Sequence, residues 1–291
     1  MQENMVEQQP QTPRNPLEKY FRQPAIYVKL PSGGQGYAPG VIDMPANGEL
    51  PIYPMTALDE ITSRTPDALF NGSAVVNIFR SCVPNIKDPW QIISTDLDML
   101  LTAVKIASYG HDMEVTSKCP KCSEDSDLVQ DLRTVIDQYK TPDYMTPLSI
   151  GDMEIYFKPL TYKEINEASQ RSFQQQKAMQ MQQSQETNQD PDVKQITELS
   201  EALRSITEVT VTSMANSIHT IKIADDMVTD AQHIKEFLVN ADRKVFEAIK
   251  DRLAQIKSAS ELKPMKVKCT SEKCGHEYEQ PFTLDMSNFF V

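Results

Sequence analysis

Cys119-Pro120-Lys121-Cys122 and, near the other end of the chain, Cys269-Thr270-Ser271-Glu272-Lys273-Cys274-Gly275-His276 are the stretches on which the fold turns. A short Cys-to-Cys turn aims two thiolates at one point while its backbone amides donate to the sulfurs. Two such turns supply the four ligands that zinc takes at tetrahedral corners, each sulfur about 2.3 Å from the ion. Both knuckles are flanked by extended sequence. Met113-Glu114-Val115-Thr116 leads into the first, Leu128-Val129-Gln130-Asp131-Leu132 leads out, and Met265-Lys266-Val267-Lys268 precedes the second. The expected unit is a zinc ribbon with Cys119, Cys122, Cys269 and Cys274 as ligands of a structural Zn2+, and with His276 as the substitute for Cys274. The second pair has four intervening residues where two are usual, and Gly275 suits the left-handed turn such a knuckle needs. Lys and Glu between the cysteines argue against simple core burial. A site closed by four cysteines has no open position, so it stabilises structure and does not activate water.

The ribbon ties the segment before a long middle region to the segment after it. In that region Pro147-Leu148-Ser149-Ile150, the turn Gly151-Asp152 and Met153-Glu154-Ile155-Tyr156-Phe157 read as a hairpin. Thr161 and Glu164 then form a capping box that opens a long helix, with Leu160 and Ile165 as its staple. The stretch from Gln174 to Gln189 is rich in Gln and Met and lacks apolar periodicity. Spacing resumes at Ile196, Leu199, Leu203, Ile206 and Val209, which predicts an αα-hairpin. Two further helices are expected from Asp230 to Val239 and from Asp242 to Ile256, and Asp225-Asp226 reads as a solvated turn between elements.

Upstream of the first knuckle, Ala25 to Leu30 and Glu49 to Tyr53 are expected strands. Helix starts stand at Thr56, at Thr65 with Pro66 in the first helical position, and at Ser94 or Thr95. Leu97, Leu100, Leu101, Val104 and Ala107 share one face of the last of these helices, which Gly110 stops. Cys82, at the end of an apolar helix, reads as a small core residue.

The chain has 291 residues with 40% hydrophobic content, enough for a real core. Its formal charge of −12 opposes nucleic-acid binding, which depends on Lys and Arg displacing counterions. A basic cluster at Lys263, Lys266 and Lys268 is the local exception. No run of about 20 apolar residues is present for a membrane span, and the first residues lack the apolar region of a secretory signal. Synthesis in a cytoplasm is expected. Five cysteines in a reducing compartment favour metal ligation over disulfides. His111, His219 and His233 are scattered and no catalytic motif is visible, so a non-enzymatic protein is expected.

One further set of motifs occurs in a fixed order: Leu30-Pro31-Ser32, Met55-Thr56 with Asp59-Glu60, Pro66-Asp67-Ala68-Leu69-Phe70-Asn71-Gly72, Ser81-Cys82-Val83-Pro84, Leu100-Leu101, Tyr109-Gly110, and the Cys119 to Cys122 knuckle. In this order they resemble the baseplate proteins of T-even-type bacteriophages, described as baseplate hub subunits or hub assembly proteins. The resemblance covers residues 17 to 132, and Cys274-Gly275-His276 followed by Asn288-Phe289-Phe290 is similar to the ending of larger members. It implies a virion structural protein of a contractile-tail baseplate, made in the host cytoplasm, with other baseplate or tail proteins as partners and copies of itself as a further candidate. It also permits an assembly factor that leaves before the particle matures. A third class, set by the ribbon alone, is a nucleic-acid-binding adaptor.

The expected fold is α+β: a flexible arm over 1–16, an N-terminal β/α core over 17–112, and the first knuckle with the hairpin over 113–160. A helical insertion over 161–260 and the second knuckle with a tail over 261–291 complete it. The Met- and Gln-rich surfaces of the insertion suit subunit contacts.

Overall fold

The structure is a computed structural model that describes residues 15–282 apart from 66, 67, 69, 184–199, 201–206 and 272. It is a mixture of helices and small antiparallel sheets, as an α+β chain requires.

The N-terminal core begins with β1 (Ile26–Val28) and β2 (Leu50–Ile52), paired antiparallel with Val28 opposite Leu50. Helix α1 (Ala57–Ser63) starts at Thr56 in a capping box. The Thr56 hydroxyl accepts from the Asp59 backbone, and the Asp59 carboxylate accepts from the Thr56 N–H. The expected start at Thr65-Pro66 lies largely outside the described residues. Gly72 instead introduces α2 (Ser73–Cys82) from a left-handed conformation, φ 77°. Only a residue without a Cβ fits there, because a Cβ would stand 2.7 Å from the Asn166 side chain and 2.9 Å from the Tyr162 hydroxyl.

Helix α3 (Ser94–Tyr109) ends at Gly110, φ 91°, as its sequence predicts. Its start has no side-chain cap, since Ile93 occupies that position. Leu97, Leu100, Leu101 and Val104 are buried with Val75, Ile78 and Phe79 of α2 and with Leu50 and Ile52. The helix buries more than its apolar face: Asp96 and Thr102 are fully covered.

From α3 the chain enters the hairpin β3 (Asp112–Lys118) and β4 (Asp125–Asp131), whose tip carries the first knuckle. A short helix α4 (Leu132–Ile136), capped by Asp131, begins at the last residue of the expected extended stretch. The Asp131 carboxylate stops the strand by accepting from the Arg133 N–H at 2.9 Å, and Leu132 and Val135 are buried beneath it.

The hairpin β5 (Leu148–Ile150) and β6 (Met153–Phe157) turns at Gly151, φ 62°. Helix α5 (Tyr162–Gln183) starts at the predicted capping box, with Thr161 N–H donating to the Glu164 carboxylate at 2.8 Å. Of the predicted apolar spacing from Ile196 to Val209, all but Val209 lies outside the described residues. Helix α6, described over 207–217, runs straight into β7 (Ile218–Ile223), followed by β8 (Asp226–Val228).

These two strands correct the expectation of a purely helical insertion. β7 pairs with β6, Ile155 opposite Ile221, and completes a four-stranded sheet in the order β5-β6-β7-β8. Asp225 falls in the β7–β8 turn and Asp226 opens β8, both exposed. Helices α7 (Ala231–Asn240) and α8 (Arg243–Ser260) are capped by Asp230 and Asp242. They bury Ile234, Leu238, Ile249 and Ile256 against Ile155, Phe157, Ile218 and Ile221 of the sheet, giving a second core. The chain closes with β9 (Met265–Lys268) and β10 (Glu277–Gln280), between which lies the second knuckle.

Candidate metal centre

Two antiparallel hairpins far apart in sequence meet at their cysteine-bearing tips. In the first, the Cys119 N–H donates to the Glu124 carbonyl at 2.9 Å and the Ser123 N–H to the Cys119 carbonyl at 2.9 Å, folding the knuckle. In the second, the Cys269 N–H donates to the His276 carbonyl at 2.9 Å and the Cys274 N–H to the Ser271 carbonyl at 3.0 Å. The residue after each second cysteine has a left-handed backbone: Ser123 at φ 60° and Gly275 at φ 54°.

These turns place four sulfurs in one cluster. Cys119 Sγ is 3.9 Å from Cys274 Sγ, Cys122 Sγ is 3.5 Å from Cys269 Sγ, and all four lie within 4.8 Å of one another. Four ligands about 2.3 Å from a tetrahedral ion are about 3.8 Å apart, so the spacing fits a metal of zinc's size. It is far too long for a disulfide, whose sulfurs are about 2.05 Å apart, and all four cysteines are free.

Two of the sulfurs are shifted in opposite directions. Burial disfavours the Cys119 thiolate, but donation from the Cys122 and Lys121 backbone amides and from the Cys122 and Cys269 thiols outweighs it, lowering its pKa to about 7. At Cys122 the Glu124 amide favours the thiolate, but desolvation and the neighbouring sulfurs win and push the thiol up to about 12. Were all four ionised, sulfurs this close would repel one another, and a cation between them would offset that repulsion.

Of the sequence-predicted residues, Cys119, Cys122, Cys269 and Cys274 are brought together, and among the described residues they form the cluster able to hold a metal ion. His276 stands outside it. Its backbone carbonyl supports Cys269, and its ring stacks on Tyr278 with centroids 6.1 Å apart. Cys82 lies in the N-terminal core, fully buried, and burial with the nearby Asp59 charge pushes its thiol up to about 11. It is no activated nucleophile.

Sequence reasoning missed two polar centres. The Arg22 guanidinium donates to the Pro54 carbonyl and, at 2.7 Å, to both the carbonyl and the hydroxyl of Ser81, and faces Asp59 at 3.5 Å. The buried Asp96 carboxylate accepts from the Ser32 N–H at 2.9 Å, from the Ser32 hydroxyl, and from the Tyr37 hydroxyl at 2.7 Å. The partners of Asp96 lie some sixty residues upstream, and no local pattern announces them.

With this architecture in view, the comparison with known families is direct. Residues 24–291 match the family model described as T4 bacteriophage base plate protein, and the chain belongs to that family. Membership supports a structural, non-enzymatic role in the baseplate, a place in the virion tail, and contact with other phage tail proteins. No curated protein and no solved structure matches the chain. Among the described residues no helix is long and apolar enough to cross a membrane.

Proposed function

We propose that the protein is a resident structural component of the baseplate hub region, acting through protein–protein contacts and held together by a structural zinc ion on Cys119, Cys122, Cys269 and Cys274. The observation that carries the metal assignment is the convergence of four sulfurs from both ends of the chain at near-tetrahedral spacing. The four ligands come from one chain, so the ion cross-links the protein to itself. In this reading the chain divides into an N-terminal core, a ribbon made of β3–β4 and β9–β10, and, between the two knuckles, the β5-β6-β7-β8 sheet with its helices. With all four positions taken by sulfur, the metal is structural.

Nucleic-acid binding by the ribbon is disfavoured by its own strands. Lys266 stands opposite Glu279 and Lys268 opposite Glu277, so the local basic cluster is neutralised across the ladder. The family permits an assembly factor as the second role. Quantitative mass spectrometry of gradient-purified particles against the lysate separates the two. A fixed ratio to other tail proteins in the particle is expected. Abundance in the lysate with absence from particles would make it an assembly factor.

A further inference from the structure

The two hairpins of the ribbon are attached to the rest of the protein very differently. β3–β4 is rooted in the N-terminal core: Met113 at its base, and Ile136 and Tyr139 just after it, pack against that core. Leu132 and Val135 are buried where β4 ends, and the Leu132 N–H donates to the His111 carbonyl at 2.8 Å, closing the base of the hairpin.

β9–β10 has no comparable root. Among the described residues it pairs with no other strand, since β3–β4 and β9–β10 are separate two-stranded sheets, and none of them in this hairpin belongs to either hydrophobic core. Outside the sulfurs, its hydrogen bonds to β3–β4 run through Ser117 and Ser126. Ser117 Oγ is 2.9 Å from the Tyr278 hydroxyl and donates to Gln280 at 3.0 Å, and Thr270 donates to Ser126 at 3.2 Å through its N–H and hydroxyl. At its base, between α4 and the incoming strand, a cavity of about 340 Å3 reaches from Val135 to Met265, and the Lys263 N–H donates to the Gln138 side chain at 3.2 Å. Its buried groups are chiefly Val267 and the ligand Cys269. An isolated two-stranded hairpin is marginal at best in water.

We infer that the metal is the latch that docks the C-terminal hairpin, so that metal loading reversibly orders residues 265–280 while both hydrophobic cores stand without it. This rests on the metal assignment above. The anchored pair Cys119 and Cys122 is the standing half of the site, and Cys269 and Cys274 are recruited to it. Whatever surface β9–β10 offers to neighbouring subunits is therefore present in the loaded protein and absent from the metal-free one.

Hydrogen-exchange mass spectrometry on the full chain, zinc-loaded, chelated and zinc-restored, tests this with metal content measured in parallel. Protection over 265–280 is expected to fall on the order of a hundredfold on chelation and to return with zinc, while peptides of α3 and of β6–β7 keep their rates. A Cys269→Ser/Cys274→Ser variant is expected to reproduce the chelated pattern in the presence of zinc. Zinc that binds and leaves with no change over 265–280 overturns the latch alone. Loss of protection throughout the chain also overturns it, because the metal would then hold the whole fold. A chain that takes up no zinc overturns the latch and the metal assignment together.

Discussion

Ser123 and Gly275 occupy equivalent places in the two knuckles: each follows the second cysteine of its pair, and their backbones agree to within a few degrees, φ 60° and 54°. Two sequences with different spacings have reached the same left-handed exit, which turns the chain away after its second sulfur. Glycine adopts this conformation freely and serine does so at a cost. Ser123→Gly is therefore expected to stabilise the zinc-loaded protein by about 0.5 kcal/mol, and Gly275→Ala to destabilise it by about 1 kcal/mol. Urea denaturation of the two variants side by side measures both. Equal destabilisation by the two would show that the knuckles are not equivalent.

Asp96 makes stability depend on pH in a direction opposite to most carboxylates. Burial raises its pKa above the ordinary value, and hydrogen bonds from Ser32 and Tyr37 recover only part of the loss. A folded-state pKa above the unfolded value, about 3.9, favours the fold most below that value and loses the contribution as pH rises through the raised one. Asp96→Asn cannot ionise. The stability of the native chain relative to this variant should therefore fall as pH rises from about 4 towards 7. A difference that stays constant over that range contradicts the assignment.

Gly72 joins the N-terminal core to α5. Its carbonyl accepts from the Tyr162 hydroxyl at 3.1 Å, and Asn166 donates to the neighbouring Asn71 carbonyl at 2.9 Å. At φ 77° and with side-chain atoms 2.7 Å from where a Cβ would stand, alanine is strained twice over. Gly72→Ala is expected to cost about 2 kcal/mol, read as a lowered denaturation midpoint with an unchanged slope. A loss within about 0.5 kcal/mol would mean that α5 shifts freely and that this junction is not tight.

Much of this architecture could be read from local chemistry. The cysteine knuckles, the Gly151 turn, the Thr161–Glu164 box and the Gly110 stop each depend on neighbours a few residues away, and each is found where its residues stand. Features with distant causes were not legible. β7 emerges directly from a helix, and what makes it a strand is its pairing with β6, more than sixty residues earlier. α4 begins where the extended stretch ends because the Asp131 carboxylate satisfies the amide of Arg133. For the metal centre, spacing identified the four cysteines; their convergence on one point is a tertiary fact.

On the proposed metal assignment, one ion joins the two ends of the chain through four sulfurs. Zinc-edge X-ray absorption with elemental analysis, on protein purified without added metal, tests it most directly. About one zinc per chain, surrounded by four sulfurs at about 2.3 Å, is expected, with Cys119→Ser lowering the zinc content. Protein that holds no zinc, or zinc bound by nitrogen and oxygen, would overturn the four-sulfur assignment.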